Sequence, residues 1–393
     1  MGETIQFLFS IDVEPDERLT NPGVPGPWSG TRSLLDDIAG IRESLSQATG
    51  RSVNFTWCFR LDPQIEMTCG ESAWPLVTFA DSIDVLQGAG DAFGVHPHAW
   101  RWDTSGRRWY TDVSDPSWVE HCVRVSLDTF ERWFGHPCRI HRFGDRWIDD
   151  AVLDLLERLG VCFDLSVEPG WARDVRGAPW ETFRGVRPDL RDAARLPYWR
   201  PFTGQDSGTE TDRGLWMVPL STAALQIGPD GVAPAPVAAV AGEPDLRSRL
   251  VDAAHTAIGV EPLRRLFSGS RRARAVYRRA GRLADGLMRS APRVETAPLN
   301  LVIRPDRFAA VLDSALAAHG TFVHAVLRSG DLARADQQAN ARLNLAHLAD
   351  HPQASRFRIA TPEVVSNTWT KSPGSPESRR PLGAGPSDGV SRR

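Results

Sequence analysis

Residues 7–16, Phe-Leu-Phe-Ser-Ile-Asp-Val-Glu-Pro-Asp, run a short apolar stretch directly into a cluster of carboxylates and close it with proline. Such a run reads as a buried strand whose C-terminal end opens into a polar cleft. Alternate residues of a strand share a face, so Asp12 and Glu14 point the same way while Val13 points into the core. Two carboxylates on one face repel unless something positive lies between them. A divalent metal is one answer; a solvated Asx-type turn after the strand is the other.

The rest of the chain continues an alternation that begins with this strand. The apolar spacing predicts a helix from Thr31 to about Ser46, a strand over Val53–Phe59, a helix from about Ala73 to Leu86 and a strand near Val95. A Trp-rich loop carrying Trp100, Trp102 and Trp109 follows, then a helix from about Pro116 to Phe134 and a strand end at His141–Gly144. A helix over Asp149–Leu159, strands over Cys162–Val167 and Leu215–Leu220, a helix from Pro305 to Ala318 and a strand over Thr321–Leu327 complete the pattern. Strand and helix in turn argue for parallel strands under covering helices, either a barrel or a doubly wound sheet. The glycines at 88, 90 and 94 imitate a dinucleotide fingerprint, but they follow a helix and enter a strand, the reverse of the true order. Residues 228–298 break the alternation with a Pro/Ala-rich linker and an arginine-dense helical stretch, Arg264–Arg282. Residues 366–393 have the Ser/Pro/Gly/Arg composition of a disordered tail. The expected organisation is one domain over residues 1–365, insertion included, and that tail.

Composition removes several chemistries. Lys371 is the only lysine and lies in the tail, so no P-loop lysine and no Schiff-base lysine is available. A net charge of -3 argues against a nucleic-acid partner. Five scattered cysteines without CxxC spacing read as free thiols of a reducing compartment, and no basic, apolar leader is visible, so a cytoplasmic location is expected. Arg264–Arg282 reads either as a solvated helical face or as a contact with anionic lipid head groups or the phosphates of a lipid-linked or nucleotide-linked sugar.

Three polar clusters fall at strand ends: Asp12 with Glu14, His96 with His98, and Arg142 with Asp145. Two imidazoles and a carboxylate form a standard ligand set for zinc or a similar divalent ion. His121, His136, His141 and His255 have no such partners and read as ordinary histidines. Tryptophans such as Trp57, Trp100, Trp102, Trp109 and Trp147 offer flat faces that stack on sugar rings, or serve equally as core.

In order, these clusters resemble the motifs of the NodB-type polysaccharide deacetylases. Phe9–Glu14 is similar to the first motif, Gly94–Trp100 to a His-x-His-x-Trp form of the second, and His141–Trp147 to the third. Leu156–Val161, Asp164–Gly170, Gly214–Pro219, Leu299–Leu301 and Val326–Leu332 follow in the family's order over roughly residues 5–335. The resemblance implies a distorted (β/α)-barrel and metal-dependent removal of an N-acetyl group from a sugar or glycan. It makes Asp12 the general base toward a metal-activated water, with Glu14, His96 and His98 as ligands of a divalent metal, zinc by preference. Arg142 would orient Asp12, while Trp100, Trp102 and Asp145 would meet the substrate.

Two positions depart from the family pattern. Trp100 stands where the second histidine usually lies, and His98 takes that role. Arg328 stands where the family carries a general-acid histidine, and arginine keeps its proton near neutrality. His324 is four residues, about 13 Å of extended chain, from that point and is expected to be structural. A carbohydrate-binding relative without turnover, or an ester or non-sugar amide hydrolase on the same site, are the alternatives.

Overall fold

Every residue of β1 (Ile5–Val13) except Gln6 is buried, as a strand paired on both edges and covered on both faces must be. The computed structural model describes residues 3–172, 183–201, 214–228, 231–235 and 293–369. After β1 come α1 (Ser29–Thr49), β2 (Thr56–Phe59), α2 (Pro63–Cys69), α3 (Trp74–Thr78), α4 (Ala80–Gly88) and β3 (Ala92–Val95). Next are β4 (Trp100–Asp103), β5 (Arg108–Asp112), α5 (Pro116–Phe134), β6 (Ile140–His141), α6 (Asp150–Arg158) and β7 (Phe163–Asp164). β8 (Phe183–Arg184), β9 (Tyr198–Pro201), β10 (Gly214–Met217), β11 (Thr222–Gly228), β12 (Gly231–Pro234) and β13 (Arg293–Pro298) follow. The chain ends in α7 (Pro305–His319), β14 (Phe322–Arg328), α8 (Ala335–Ala349), β15 (Phe357–Ile359) and α9 (Pro362–Ser366). No helix among the described residues is long and apolar enough to cross a membrane.

The main sheet runs β14-β1-β2-β3-β6-β7-β10-β9. All its pairings are parallel except β10 with β9. β1 pairs with β14 over Gln6–Asp12; on its other edge β15 takes Ile5–Phe7 and β2 takes Ser10–Val13. The α/β class expected from the alternation is therefore observed, and the sheet is curled. Asp12 on β1 and Arg142 after β6 sit three strand spacings apart, about 14 Å on a flat sheet. Yet Arg142 Nε lies 3.0 Å from Asp12 Oδ1, a reach that only a concave sheet permits. The curl is closed by irregular backbone instead of a final regular strand. Ser221 N–H donates to His324 O at 3.0 Å, Leu299 N–H to Ser221 O at 2.7 Å, and Val326 N–H to Leu299 O at 2.9 Å. This is the distortion of the barrel.

Local sequence explains most boundaries. α5 begins after Asp115, whose carboxylate accepts the Ser117 and Trp118 N–H groups, has Pro116 as its first residue, and stops at Gly135 with φ 73°. The single helix expected over residues 73–86 is instead α3 and α4, broken at Phe79, whose ring packs against Trp28 and Trp74. The Trp-rich loop is a hairpin of β4 and β5, extended by β8. The start of the expected linker and the end of the insertion are strands: β11 pairs with both β12 and β13. Arg264–Arg282 lies outside the described residues. The chain also stays packed slightly beyond the expected tail boundary, because Trp369 sits against Trp216 and Phe322.

Candidate active site

Polar side chains gather where the parallel strands stop, the end at which α/β folds build sites. Asp12 and Glu14 come from the end of β1, His96 and His98 from the segment after β3, Arg142 and Asp145 from the segment after β6. Asp12, Glu14, His96, His98 and Arg142 are all buried. Asp12, His96, His98 and Arg142 line a cavity of about 160 Å³ together with Asp145, Glu168, Arg18 and Arg328, and Glu14 is buried next to His98.

The two histidines converge, as the sequence spacing predicts. Neither belongs to a strand, so their common facing depends on loop bonds: His96 N–H donates to Phe59 O at 2.7 Å, and His98 N–H to Asp62 Oδ2 at 3.1 Å. Asp62 also caps α2 through the Gln64 N–H and pairs with Arg60 at 2.6 Å, so a helix cap fixes the loop.

Hydrogen bonds decide the tautomers. His96 Nδ1 lies 2.7 Å from the Arg142 carbonyl oxygen, which only accepts, so Nδ1 carries the proton. His98 Nδ1 lies 2.8 Å from Asp145 Oδ2, which imposes the same tautomer. The Trp100 indole N–H approaches that Nδ1 at 3.2 Å, but the nearer carboxylate prevails. Both Nε2 atoms are then bare, and they face each other 3.1 Å apart. Burial pushes the His96 imidazole down to about 3, with the Asp12 charge opposing only in part, so His96 brings no proton of its own to this contact near neutrality.

Glu14 completes the arrangement. Its backbone N–H donates to Ser329 Oγ at 3.1 Å, and its Oε1 accepts a hydrogen bond from Arg18. Glu14 Oε2 is buried without a hydrogen-bond partner and lies 3.8 Å from His98 Nε2. Ligand atoms of Glu14, His96 and His98 all fall within 4.8 Å of one another. Two facing lone pairs and an orphaned carboxylate oxygen fit a divalent cation, and the buried Glu-His-His triad is able to hold one.

Asp12 and Arg142 form the second half of the site. Arg142 Nε donates to Asp12 at 3.0 and 3.2 Å, and its other nitrogens donate to the Leu165 carbonyl and to Glu168 at 3.2 Å. The guanidinium is thus satisfied by Asp12 and Glu168; Asp145 serves His98 instead. Burial alone would raise the Asp12 carboxyl, but Arg142, His96 and Arg328 outweigh it and hold it at about 2. His96 Nε2 is 3.8 Å from Asp12 Oδ2, so the carboxylate borders the triad.

The turn after β6 is shaped for this contact. Gly144 N–H donates to the Pro97 carbonyl at 2.9 Å, and a Cβ there would sit 2.2 Å from the His98 ring. Asp145 and Arg146 then take positive φ, 58° and 55°, a conformation costly outside glycine that often accompanies function.

Six of the eight expected site residues therefore come together: Asp12, Glu14, His96, His98, Arg142 and Asp145. Trp100 and Trp102 do not line the cavity. Trp100 is buried against His98, and Trp102 packs edge-on to Trp109 at 5.2 Å. Trp57 and Trp147 are core. His324 is structural, bonded to Ser10 Oγ at 2.8 Å, as expected. His141 differs from expectation: it is fully buried and bonded to Asp164 at 2.7 Å. Sequence reasoning gave no role to Asp62, Glu168, Arg18 or Ser329. Asp62-Pro63 was a readable helix cap, and Glu168 follows Ser166 at strand spacing after β7.

No family model matches the sequence, and no curated protein matches it. Among solved structures, similar ones include a "probable Polysaccharide deacetylase" from Pseudomonas aeruginosa PAO1 (TM-score 0.42, 10% identity, 92% of this chain and 90% of that one). Puue Allantoinase aligns at TM-score 0.42 and 10% identity over 92% of this chain and 89% of that one. The 4-alpha-glucanotransferase from Thermococcus litoralis aligns at 0.41 and 10%, over 94% of this chain but 41% of that one. Two more neighbours, from Mycobacterium smegmatis and Parabacteroides distasonis, also carry deacetylase names. At these scores the likeness carries no functional argument, which rests on the site.

Proposed function

We propose that this chain is a metal-dependent hydrolase that removes an acetyl group from nitrogen on a sugar or glycan precursor. The observation that carries the reading is the pair of bare nitrogens, His96 Nε2 and His98 Nε2, 3.1 Å apart beside the unpartnered Glu14 Oε2. Glu14, His96 and His98 would hold the ion, and two imidazoles with one carboxylate suit zinc. When bound, such an ion polarises the acyl oxygen and lowers the pKa of water to roughly 7. The acetyl-sugar substrate comes from the motif resemblance, from Phe9–Glu14 through Val326–Leu332.

The protein's own groups supply the proton traffic. Asp12, ionised because its carboxyl is held at about 2, accepts the proton of the attacking water. Arg142 keeps that carboxylate turned toward the triad through two bonds to one nitrogen. Once protonated, Asp12 is a strong acid and returns the proton to the leaving nitrogen, which departs as an amine. Asp145 and the Arg142 carbonyl hold the two imidazoles in the tautomer that keeps their Nε2 atoms bare.

Arg328 favours a second reading. It stands near Asp12 and offers charge without a proton. An alkoxide leaving from an O-acetyl ester needs charge stabilisation more than a proton, so an ester hydrolase on the same residues is the alternative. Acetate release from N-acetyl oligosaccharides, stopped by chelation and restored by zinc, is the expected result. Release from O-acetylated sugars alone selects the ester reading. No acetate from either, by folded and zinc-supplied protein, overturns the hydrolase and leaves a carbohydrate-binding relative.

A further inference from the structure

Five arginines line the cavity: Arg18, Arg142, Arg146, Arg187 and Arg328. Three carboxylates, Asp12, Asp145 and Glu168, share the lining, with Glu14 buried beneath. The balance is one positive charge before any metal is counted, and a divalent ion would raise it. Arg142 is consumed by Asp12, Glu168 and the Leu165 carbonyl, and Arg18 is held by Glu14. Arg187 donates to the Asp145 carbonyl.

Arg328 is different. The β1–β14 register sets it directly beside Asp12, at the end of the strand. Its nearest ion-pair contact, Nε to Asp12 Oδ2, is 3.9 Å, beyond hydrogen-bond reach, and it makes no hydrogen bond among the described residues. Its side chain lines the cavity and is 31% exposed, so its donor fork is not sealed off by neighbouring protein groups. Arg328 sits in the field of Glu14, Glu168, Asp12 and Asp331, and a guanidinium that only balanced these carboxylates would gain by closing to hydrogen-bond distance on one of them. One kept open beside a small polar cavity is arranged for an acceptor that arrives from outside, and its fork fits the two oxygens of a carboxylate or phosphate.

We infer that the substrate is an acidic one: it carries an oxyanion group, carboxylate or phosphate, that seats on Arg328 beside the acyl group to be removed. This deepens the hydrolase reading and rests on the same cavity being the substrate site.

Isothermal titration of the zinc-supplied full chain tests it with three probes: N-acetylglucosamine, its 6-phosphate, and the corresponding N-acetylated glucosaminuronic acid. At least one acidic sugar is expected to bind tenfold or more tighter than the neutral one, and the tighter acid identifies the group as phosphate or carboxylate. Arg328→Gln should erase that margin, and Arg328→Lys, which keeps the charge without the fork, should retain part of it. A merely charge-balancing Arg328 would leave the margin unmoved in Arg328→Gln. That result overturns the inference, as does a wild-type protein with no margin, whether the three bind equally or not at all. Should Arg328→Gln fail to fold by circular dichroism, the wild-type margin and the lysine variant still decide. Acetate release is scored separately. Anion preference without acetate release overturns the hydrolase and leaves this inference standing; acetate from the neutral sugar without preference overturns this inference alone.

Discussion

Gly144→Ala isolates the geometry of the triad from its chemistry. No ligand is changed, and Gly144 does not occupy the left-handed region, so alanine meets no backbone penalty there. The added methyl would lie 2.2 Å from His98 Cε1 and 2.3 Å from His98 Nε2, where ordinary contact begins at 3.4 Å. The ring must therefore retreat by about 1 Å, and it is tied behind by Asp145 and flanked by Trp100. A displacement of about 1 Å at a positioned group costs on the order of 100-fold in function. Zinc affinity, measured by competition with a chromophoric chelator, should fall by roughly that factor. Unfolding should shift only modestly, because repacking a crowded methyl costs about 1–3 kcal/mol. Wild-type zinc affinity in a folded Gly144→Ala protein would refute the placement of His98 Nε2 at the metal.

Arg142→Met leaves Asp12 and Glu168 buried without their shared cation, so the melting temperature should drop by the equivalent of about 3–5 kcal/mol; an unchanged melt would show that the pair is not the structural hub described. Asp12→Asn should abolish acetate release while zinc content stays near wild type, since Asp12 lies outside the triad, and parallel loss of zinc would make it a ligand. Metal-free protein should lose stability on acidification. His96 and His324, each held at about 3 by burial against an ordinary 6.5, bind protons in the unfolded chain first, so their contribution is complete above 6.5 and is lost as pH falls toward 3. Asp12 has the same sign: roughly 2 kcal/mol, present above 3.8 and lost as pH falls through about 2. Urea midpoints between about pH 7 and 4 should decline, less steeply in His96→Gln; a flat profile contradicts the burial of neutral imidazoles.

The fold was readable where strands end in chemistry. The apolar run closed by Asp12 and Glu14, and His-x-His after a glycine-led strand, each carry a local signal, and both lie at the cleft end of parallel strands. Arg142 was legible for a different reason: a strand-end arginine needs a buried carboxylate, the family resemblance pointed to Asp12, and the structure pairs the two across three strand spacings. Sequence periodicity is blind to contacts made by loops. Asp62 Oδ2 holding the His98 N–H, and Arg18 folding back onto Glu14, arise from backbone that follows no repeat. The break at Phe79 had no glycine or proline to announce it; three aromatic rings decide it. Trp100 is buried and Trp102 packs edge-on to Trp109, both outside the cavity lining; an aromatic face serves a sugar and a protein core equally well, and sequence alone does not separate the two uses. Barrel closure rests on one isolated parallel bridge, Asn300 with Val326, and on the bonds of Ser221, too short for hydrophobic periodicity to forecast, although the motif order marked Leu299–Leu301 and Val326–Leu332.

The central claim is that Glu14, His96 and His98 together hold one divalent ion. Titration of zinc into metal-free protein, followed calorimetrically alongside His98→Ala and Glu14→Gln, tests it most directly. One equivalent bound by the wild-type protein, with affinity lost or reduced on the order of 100-fold in each variant, is the predicted outcome. No binding by the folded wild-type chain, or binding that survives both substitutions unchanged, would contradict it.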